Sequence, residues 1–280
     1  MLRMARQPLP GTTDTWQQHF SHPDHSRGEA HLIQRPATRL YIPEALASGA
    51  AVALDAAQAH RLRHVLRLGA GATVAGFNAR DGEWLCRVDE LGRGRGVVTP
   101  LEQRRAAQPD SDLWLLFAPI KRGRLDWLVE KATELGAGAL VPVLTARTQT
   151  ERLNRERLQA LAVAASEQSG RLSVPEVRSA EALSRLLAAW PLDRRLILCD
   201  ESGAGTPIAA ALAGFRAGPA AVFIGPEGGF AETELDALGK LSIVTRVGLG
   251  PRILRAETAA LAALAVFQAI AGDWRRIQAR

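Results

Sequence analysis

Ala220-Ala221-Val222-Phe223-Ile224-Gly225-Pro226-Glu227-Gly228-Gly229-Phe230-Ala231-Glu232-Thr233-Glu234-Leu235 is the stretch whose reading decides the fold. Ala220 to Ile224 is an apolar run, short and β-branched enough for a buried strand. A glycine-proline turn follows, and then acidic residues stand where the first turn of a helix favours them. Strand, tight turn and helix in that order belong to an open α/β sheet, and such sheets bind ligands at the carboxyl ends of their strands. The turn contains neither G-x-x-x-x-G-K-[ST] nor G-x-G-x-x-G, and Glu227 stands in its middle, so a diphosphate would meet negative charge. A ligand with hydroxyls, backbone-readable edges or a positive centre fits better. The alternative is a turn that only reverses the chain.

A second glycine-proline turn, Leu249-Gly250-Pro251-Arg252, ends the next strand, residues 243–249, beyond a helix at 232–241. It leads into a last helix, residues 257–270, that is apolar on almost every side. Such a helix needs cover on more than one face, from its own domain or from a second subunit. Upstream, a strand at 113–118, a helix with Leu125, Leu128, Val129, Ala132 and Leu135 at helical spacing, and a strand at 139–144 form a β-α-β unit. A parallel sheet is therefore expected. Residues 152–169 read as a long helix, 175–177 as a weak strand, 180–190 as a helix and 195–199 as a strand. Residues 207–218 carry no clear element.

The first part of the chain has a different rhythm. Residues 1–38, rich in Pro, Gln, Thr, His and Arg without periodicity, read as a disordered or extended tail. Residues 39–108 form a first domain. A helix at 56–67, capped by Asp55 and stopped by Gly69, packs Leu62, Val65 and Leu66 and presents Arg61, Arg63, His64 and Arg67. Short alternating segments at 72–77, 83–88 and 96–100, separated by turns that include Gly92-Arg93-Gly94-Arg95-Gly96, suggest a small β-barrel. The polar stretch 103–111 reads as a linker, so the second domain spans 109–280.

Composition narrows the function. The net charge is +6 with a pI near 10.2, which suits a polyanionic partner or a solvated basic surface. Residues 1–108 hold 14 Lys and Arg against 10 acids, and the remainder 21 against 19, so most of the excess lies in the first part. Cys86 and Cys199 are the only cysteines, without metal-ligand spacing, and imply a reducing, cytoplasmic setting. All six histidines precede Val65, which disfavours a Ser-His-Asp hydrolase or a His-ligated metal at the glycine turns. No metal and no membrane are expected: the longest apolar stretch, 258–271, is shorter than the roughly 20 residues a bilayer requires.

Four separated motifs, Glu151-Arg152-Leu153-Asn154, Glu167-Gln168-Ser169-Gly170-Arg171, residues 224–230 and residues 249–259, resemble in order and spacing the bacterial 16S ribosomal RNA (uracil-N3)-methyltransferases of the SPOUT superfamily. The resemblance runs from about Arg39 to the carboxyl end, with the tail outside it. It implies a PUA-like β-barrel joined to an α/β domain containing a trefoil knot, a homodimer, the cofactor S-adenosylmethionine and 16S ribosomal RNA or the small subunit as partner. A sulfonium ligand without phosphate agrees with Glu227 in the turn.

Carried over by position, Ile224, Gly225, Glu227 and Gly228 form one wall of a cofactor pocket, and Leu249, Gly250, Ile253 and Leu254 the other. Thr258 joins them, with helix capping as the alternative for Glu257 and Thr258. Without a nearby imidazole, a carboxylate among Glu167, Glu227 and Glu257 is the expected base, and Arg171, Arg252 or Arg255 the partner of the uracil anion. Arg252 or Arg255 is expected on the target base. The alternative for Glu167 and Arg171 is a helix-end ion pair at i,i+4, and for Glu227 the capture of backbone donors in its own turn. RNA is expected on Arg61, Arg63, Arg67, Arg93, Arg95, Lys121, Arg122, Arg124 and Arg171. Other expectations left open are a SPOUT enzyme acting on another site such as a ribose 2′-hydroxyl, a non-catalytic RNA-binding assembly factor, and a nucleotide-binding α/β protein.

Overall fold

The structure is a computed structural model and describes residues 35–149, 152–215 and 218–275. The expected tail therefore lies outside the described residues up to Gln34, as does Glu151 of the first motif.

Five strands form the first sheet: β1 (Arg39–Tyr41), β2 (Val52–Leu54), β3 (Thr73–Asn78), β4 (Gly82–Leu91) and β5 (Gly96–Arg105). Their order is β1-β3-β4-β5-β2, with β1 and β3 parallel and the other pairs antiparallel. Leu40, Ile42, Val74, Val88 and Val98 are buried together in its core. β5 runs to Arg105, past the expected start of the linker, because Gln103 and Arg105 pair with Trp84 and Glu83 across irregularities in β4. Backbone pairing does not depend on the polar side chains that made this stretch look like a linker.

Between β2 and β3, α1 (Ala56–His60) is capped by a reciprocal pair in which Asp55 accepts the Gln58 N–H and Gln58 accepts the Asp55 N–H. The expected α-helix to Arg67 then widens into a π turn, Arg61–Val65, with the Leu66 N–H on the Arg61 carbonyl at 3.0 Å. It stops at Arg67, whose φ of 55° is left-handed, two residues before Gly69.

The second sheet is made of β6 (Leu113–Phe117), β7 (Ala139–Leu144), β8 (Glu176–Val177), β9 (Glu181–Ala182), β10 (Arg195–Cys199), β11 (Thr206–Pro207), β12 (Ala220–Ile224) and β13 (Val244–Gly248). The helices are α2 (Arg122–Glu134), α3 (Arg155–Ser169), α4 (Leu183–Ala188), α5 (Ile208–Leu212), α6 (Glu232–Gly239) and α7 (Ala256–Ile270). All strand pairs in this sheet are parallel. Helices α2, α3, α5 and α7 pack on one face and α4 and α6 on the other, which is why β6, β10 and β12 are apolar on both sides.

Several bounds differ from expectation for local reasons. α3 begins at Arg155, not Arg152, because Asn154 caps it by accepting the Arg157 N–H at 2.9 Å. The expected helix at 180–190 gives up its first turn to β9, which pairs with β7. Residues 207–218 contain α5, held by Ile208 and Leu212 in the core. α6 stops at Gly239, short of residue 241.

α7 buries Ala260, Ala263, Leu264 and Phe267 against the sheet, while Leu261, Ala262, Ala265 and Val266 stay half-buried. Among the described residues only one face is therefore fully covered. With the turn that follows, the helical run Ala256–Arg275 is 20 residues long with a mean hydropathy of 1.2, enough by length and composition alone to cross a bilayer. The apolar count stopped at residue 271 because Gly272 and Asp273 interrupt it. Its inner face belongs to the core of the sheet.

The order β11-β13-β10-β12-β6-β7-β8 sets the position of the site. The chain winds outward through β6, β7 and β8, returns to β10, inserts β12 between β10 and β6, and adds β13 on the far side of β10. The carboxyl ends of β10, β12 and β13 lie side by side where the winding reverses, the place where such sheets open a crevice.

Candidate active site

A cavity of about 590 Å³ opens at those three strand ends. The first glycine turn contributes Ile224, Gly225, Pro226, Glu227 and Gly229. The second contributes Leu249, Gly250, Pro251, Arg252, Ile253, Leu254 and Arg255. Gly225 has no room for a side chain: a Cβ there would stand 2.7 Å from the Phe230 ring. Gly250 has a φ of +103°, which strains any other residue, and open space beside it.

The third wall comes from the loop after β10, with Cys199, Asp200, Glu201 and Gly203. No role was expected for this loop. Its sequence carries no motif, and only the neighbouring places of β10, β12 and β13 in the sheet bring it to the glycine turns. The Asp200 carboxylate is fully buried and accepts from the Arg246 guanidinium at 2.6 Å and the Ser202 N–H at 3.0 Å. Burial alone would raise its pKa, but the Ser202 N–H and hydroxyl and the Arg246 charge outweigh it and hold the carboxyl below its ordinary value. Burial pushes the Cys199 thiol up to about 12, so at neutral pH it is a thiol and not a nucleophile.

Arg124, at the start of α2, also lines the cavity. It pairs with Glu227 at 2.5 Å and stands 3.8 Å from Glu257. This cation, expected on RNA, thus ties the first glycine turn to the first turn of α7. Glu227 is accordingly held by Arg124 rather than by backbone donors of its own turn. Glu257 is not itself among the residues that line the cavity, and its second carboxylate oxygen, Oε2, is buried without a hydrogen-bond partner. Such an orphan acceptor is costly unless a ligand completes it. Neither Glu257 nor Thr258 caps α7, whose N-cap is Arg255.

Other expected residues go elsewhere. Gly228 and Thr258 are exposed and do not line the cavity, and a Cβ on Gly228 would make ordinary contact with Arg147 at 3.7 Å. Glu167 is not at the cavity: its carboxylate takes Arg61 at 2.5 Å and the Tyr41 N–H at 3.1 Å, joining the first sheet to α3. Arg171 does not pair with Glu167. Its guanidinium donates to the Thr133 and Ala137 carbonyls at 2.6 and 2.8 Å and to Asp110 at 2.7 Å, which leaves it 9% exposed. The side chains of a helix end here face different neighbours, so an i,i+4 spacing did not make a pair. Of the remaining basic residues, Arg95 pairs with Glu90, Arg63 reaches the Leu91 carbonyl, and Arg67, Arg93, Lys121 and Arg122 are exposed. Among the described residues no three His, Cys, Asp or Glu side chains gather as metal ligands, and no histidine lines the cavity.

Residues 107–268 match the family described as RNA methyltransferase domain, which puts the sheet and its cavity in the class of α/β methyltransferase folds. The chain is 32% identical over 233 residues to a ribosomal RNA small subunit methyltransferase E of Rickettsia conorii, covering 81% of this chain and 93% of that one. It is 29% identical over 219 residues to the Bacillus subtilis protein of the same name, covering 74% and 85%. A crystal structure of the Neisseria gonorrhoeae ribosomal RNA small subunit methyltransferase E bound to S-adenosyl methionine superposes with a TM-score of 0.75 at 29% identity, covering 85% of this chain and 99% of that one. The chain belongs to the ribosomal RNA small subunit methyltransferase E family.

Proposed function

We propose that the protein transfers a methyl group from S-adenosylmethionine to N3 of one uridine in the 16S ribosomal RNA of the small subunit. The observation that carries this reading is the single cavity uniting both glycine turns, in the fold of a relative solved with S-adenosyl methionine.

The lining suits that cofactor. About 590 Å³ lies within the range of roughly 300–1,000 Å³ of small-molecule sites. Ile224, Leu249, Leu254 and Ala259 offer apolar contact to an adenine, and Glu201 and Glu227 offer acceptors to hydroxyls, an amine and a sulfonium. When bound, S-adenosylmethionine supplies a methyl whose carbon–sulfur bond breaks, with the electron pair left on sulfur, as the bond to uracil N3 forms. Glu257, with its unpartnered oxygen, accepts the N3 proton. Arg124 orients Glu257 from the other side. Arg252 or Arg255, on the rim, donates to the uracil oxygen on which charge develops. The walls hold the two reactants in line, which supplies much of the acceleration such a displacement needs.

The same reading makes residues 39–108 a PUA-like barrel and 109–280 a SPOUT domain with a trefoil knot, an exception to the usual rules of chain connection. It makes the half-buried face of α7 the contact of a homodimer, and the cytoplasm the place of action. Arg63, Arg67 and Arg93 remain candidates to guide RNA onto the first sheet. The test incubates the protein and the cofactor with small ribosomal subunits from a deletion strain and analyses the 16S nucleosides by mass spectrometry. N3-methyluridine is expected; a 2′-O-methylated nucleoside, or no methylation, contradicts the proposal.

A further inference from the structure

The concave surface continues beyond the cavity. A small cleft that shares Pro226 and Glu227 with it is lined on its other side by Ile120, Lys121, Arg147 and Gln149. A third pocket, of about 210 Å³, shares Ile120 with the cleft and lies beside the first turns of α2 and α3. Its lining is apolar at Ile120, Leu125, Leu153 and Leu158, and cationic at Arg122, Arg152 and Arg157.

Some exposed arginines elsewhere have a carboxylate beside them, as Arg87 has Asp89 and Arg95 has Glu90, and others, such as Arg67 and Arg93, do not among the described residues. At the third pocket only Arg157 is matched, by a two-pronged pair with Asp126 that fixes its orientation. Arg122 and Arg152 are exposed and have no side-chain partner among the described residues, and the same holds for Lys121 in the cleft. Arg147 is anchored beside the first glycine turn by its hydrogen bond to the Gly228 carbonyl at 2.8 Å. Unmatched cations thus line a path that begins at the cavity and ends in a pocket with an apolar lining.

We propose that the third pocket is a nucleotide subsite for the RNA strand that carries the target uridine. The base of a flanking, unpaired nucleotide lies on the apolar residues, and its phosphates meet Arg122 and Arg152. The strand runs past Lys121 and Arg147 to the cavity. Splayed single-stranded nucleotides are the form in which proteins read RNA by sequence, and they need an apolar or planar surface beside a cation. This inference rests on the reading of the chain as an RNA methyltransferase.

The test compares the wild type with the double variant Arg122→Ala/Arg152→Ala, using small ribosomal subunits as substrate and calorimetry for S-adenosylmethionine. The double variant is expected to bind the subunits about 10- to 100-fold more weakly, and the slope of log affinity against log salt to fall by about 1.4, roughly 0.7 for each lost phosphate contact. Its affinity for S-adenosylmethionine stays that of the wild type, which also reports an intact fold. A control, Arg185→Ala/Arg195→Ala, removes two exposed arginines away from the path and is expected to stay within about 2-fold. Wild-type subunit affinity in the double variant, or an equal loss in the control, overturns the subsite. Failure of the wild type itself to methylate the subunit overturns the functional reading and the subsite with it.

Discussion

The cavity at the ends of β10, β12 and β13 and the joint between β1 and α3 are built from the same residue types, glutamate and arginine, and use them differently. At the joint, Arg39 donates to the Glu83 carboxylate and to the carbonyls of Ser166, Glu167 and Arg171, with distances of 2.6 to 3.0 Å. Glu167 takes Arg61 and the Tyr41 N–H, and Arg171 is surrounded by acceptors. Beside the cavity, next to the lining residues Ala256 and Arg124, Glu257 keeps a buried oxygen without a partner, and Arg252 and Arg255 stand exposed on the rim. Saturated polar groups fix the position of one element against another, whereas unsaturated ones are left for a ligand to complete.

That contrast can be broken most sharply at Glu257. Glu257→Gln keeps the shape and removes the proton acceptor, so kcat is expected to fall about 10²- to 10⁴-fold. Calorimetry should find the S-adenosylmethionine affinity little changed; an undiminished kcat would return Glu257 to a structural part. Next in size is Gly225→Val, which forces a side chain toward the Phe230 ring. Overpacking of this kind costs about 1–3 kcal/mol, so cofactor affinity should drop by about 10- to 100-fold. Gly228, which a Cβ would leave uncrowded, serves as the neutral comparison.

Glu167→Ala tests the other side of the contrast. It strands the partly buried Tyr41 N–H and should lower unfolding stability by about 1–3 kcal/mol while leaving the cofactor affinity as it is. Little of that comes from the ion pair itself, because Arg61 is 38% exposed and screened by solvent. The smallest effect concerns pH. Asp200 has a depressed pKa, so its contribution to stability is present above the ordinary carboxylate range and is lost as pH falls through the lower folded value. Acid titration of unfolding should show this loss below about pH 4 in the wild type and a flatter curve in Asp200→Asn.

The sheet was largely legible in the sequence. β10 and β12 fall on their expected residues because an apolar run bounded by turn residues has few other uses in a two-faced sheet. The two glycine turns stood out in the sequence by their turn residues at strand ends, and both line the cavity. The loop at Cys199 to Gly203 was not, because its place follows from the order of strands in space and not from its residues. Arg124 looked like one more basic surface residue until Glu227 and Glu257, distant in sequence, were seen to flank it. The segment from Glu167 to Arg171 was conspicuous as a motif, yet Glu167 pairs across 106 residues with Arg61 and holds the joint. Residue spacing along a helix does not reveal which neighbour a helix end meets.

The most direct test of this division is amide hydrogen exchange followed by mass spectrometry, with and without S-adenosylmethionine. Added cofactor is predicted to slow exchange in segments 199–205, 224–230 and 248–256, and to leave 39–41 and 166–171 unchanged. Protection confined to 39–41 and 166–171, with the glycine turns unaffected, would contradict the account.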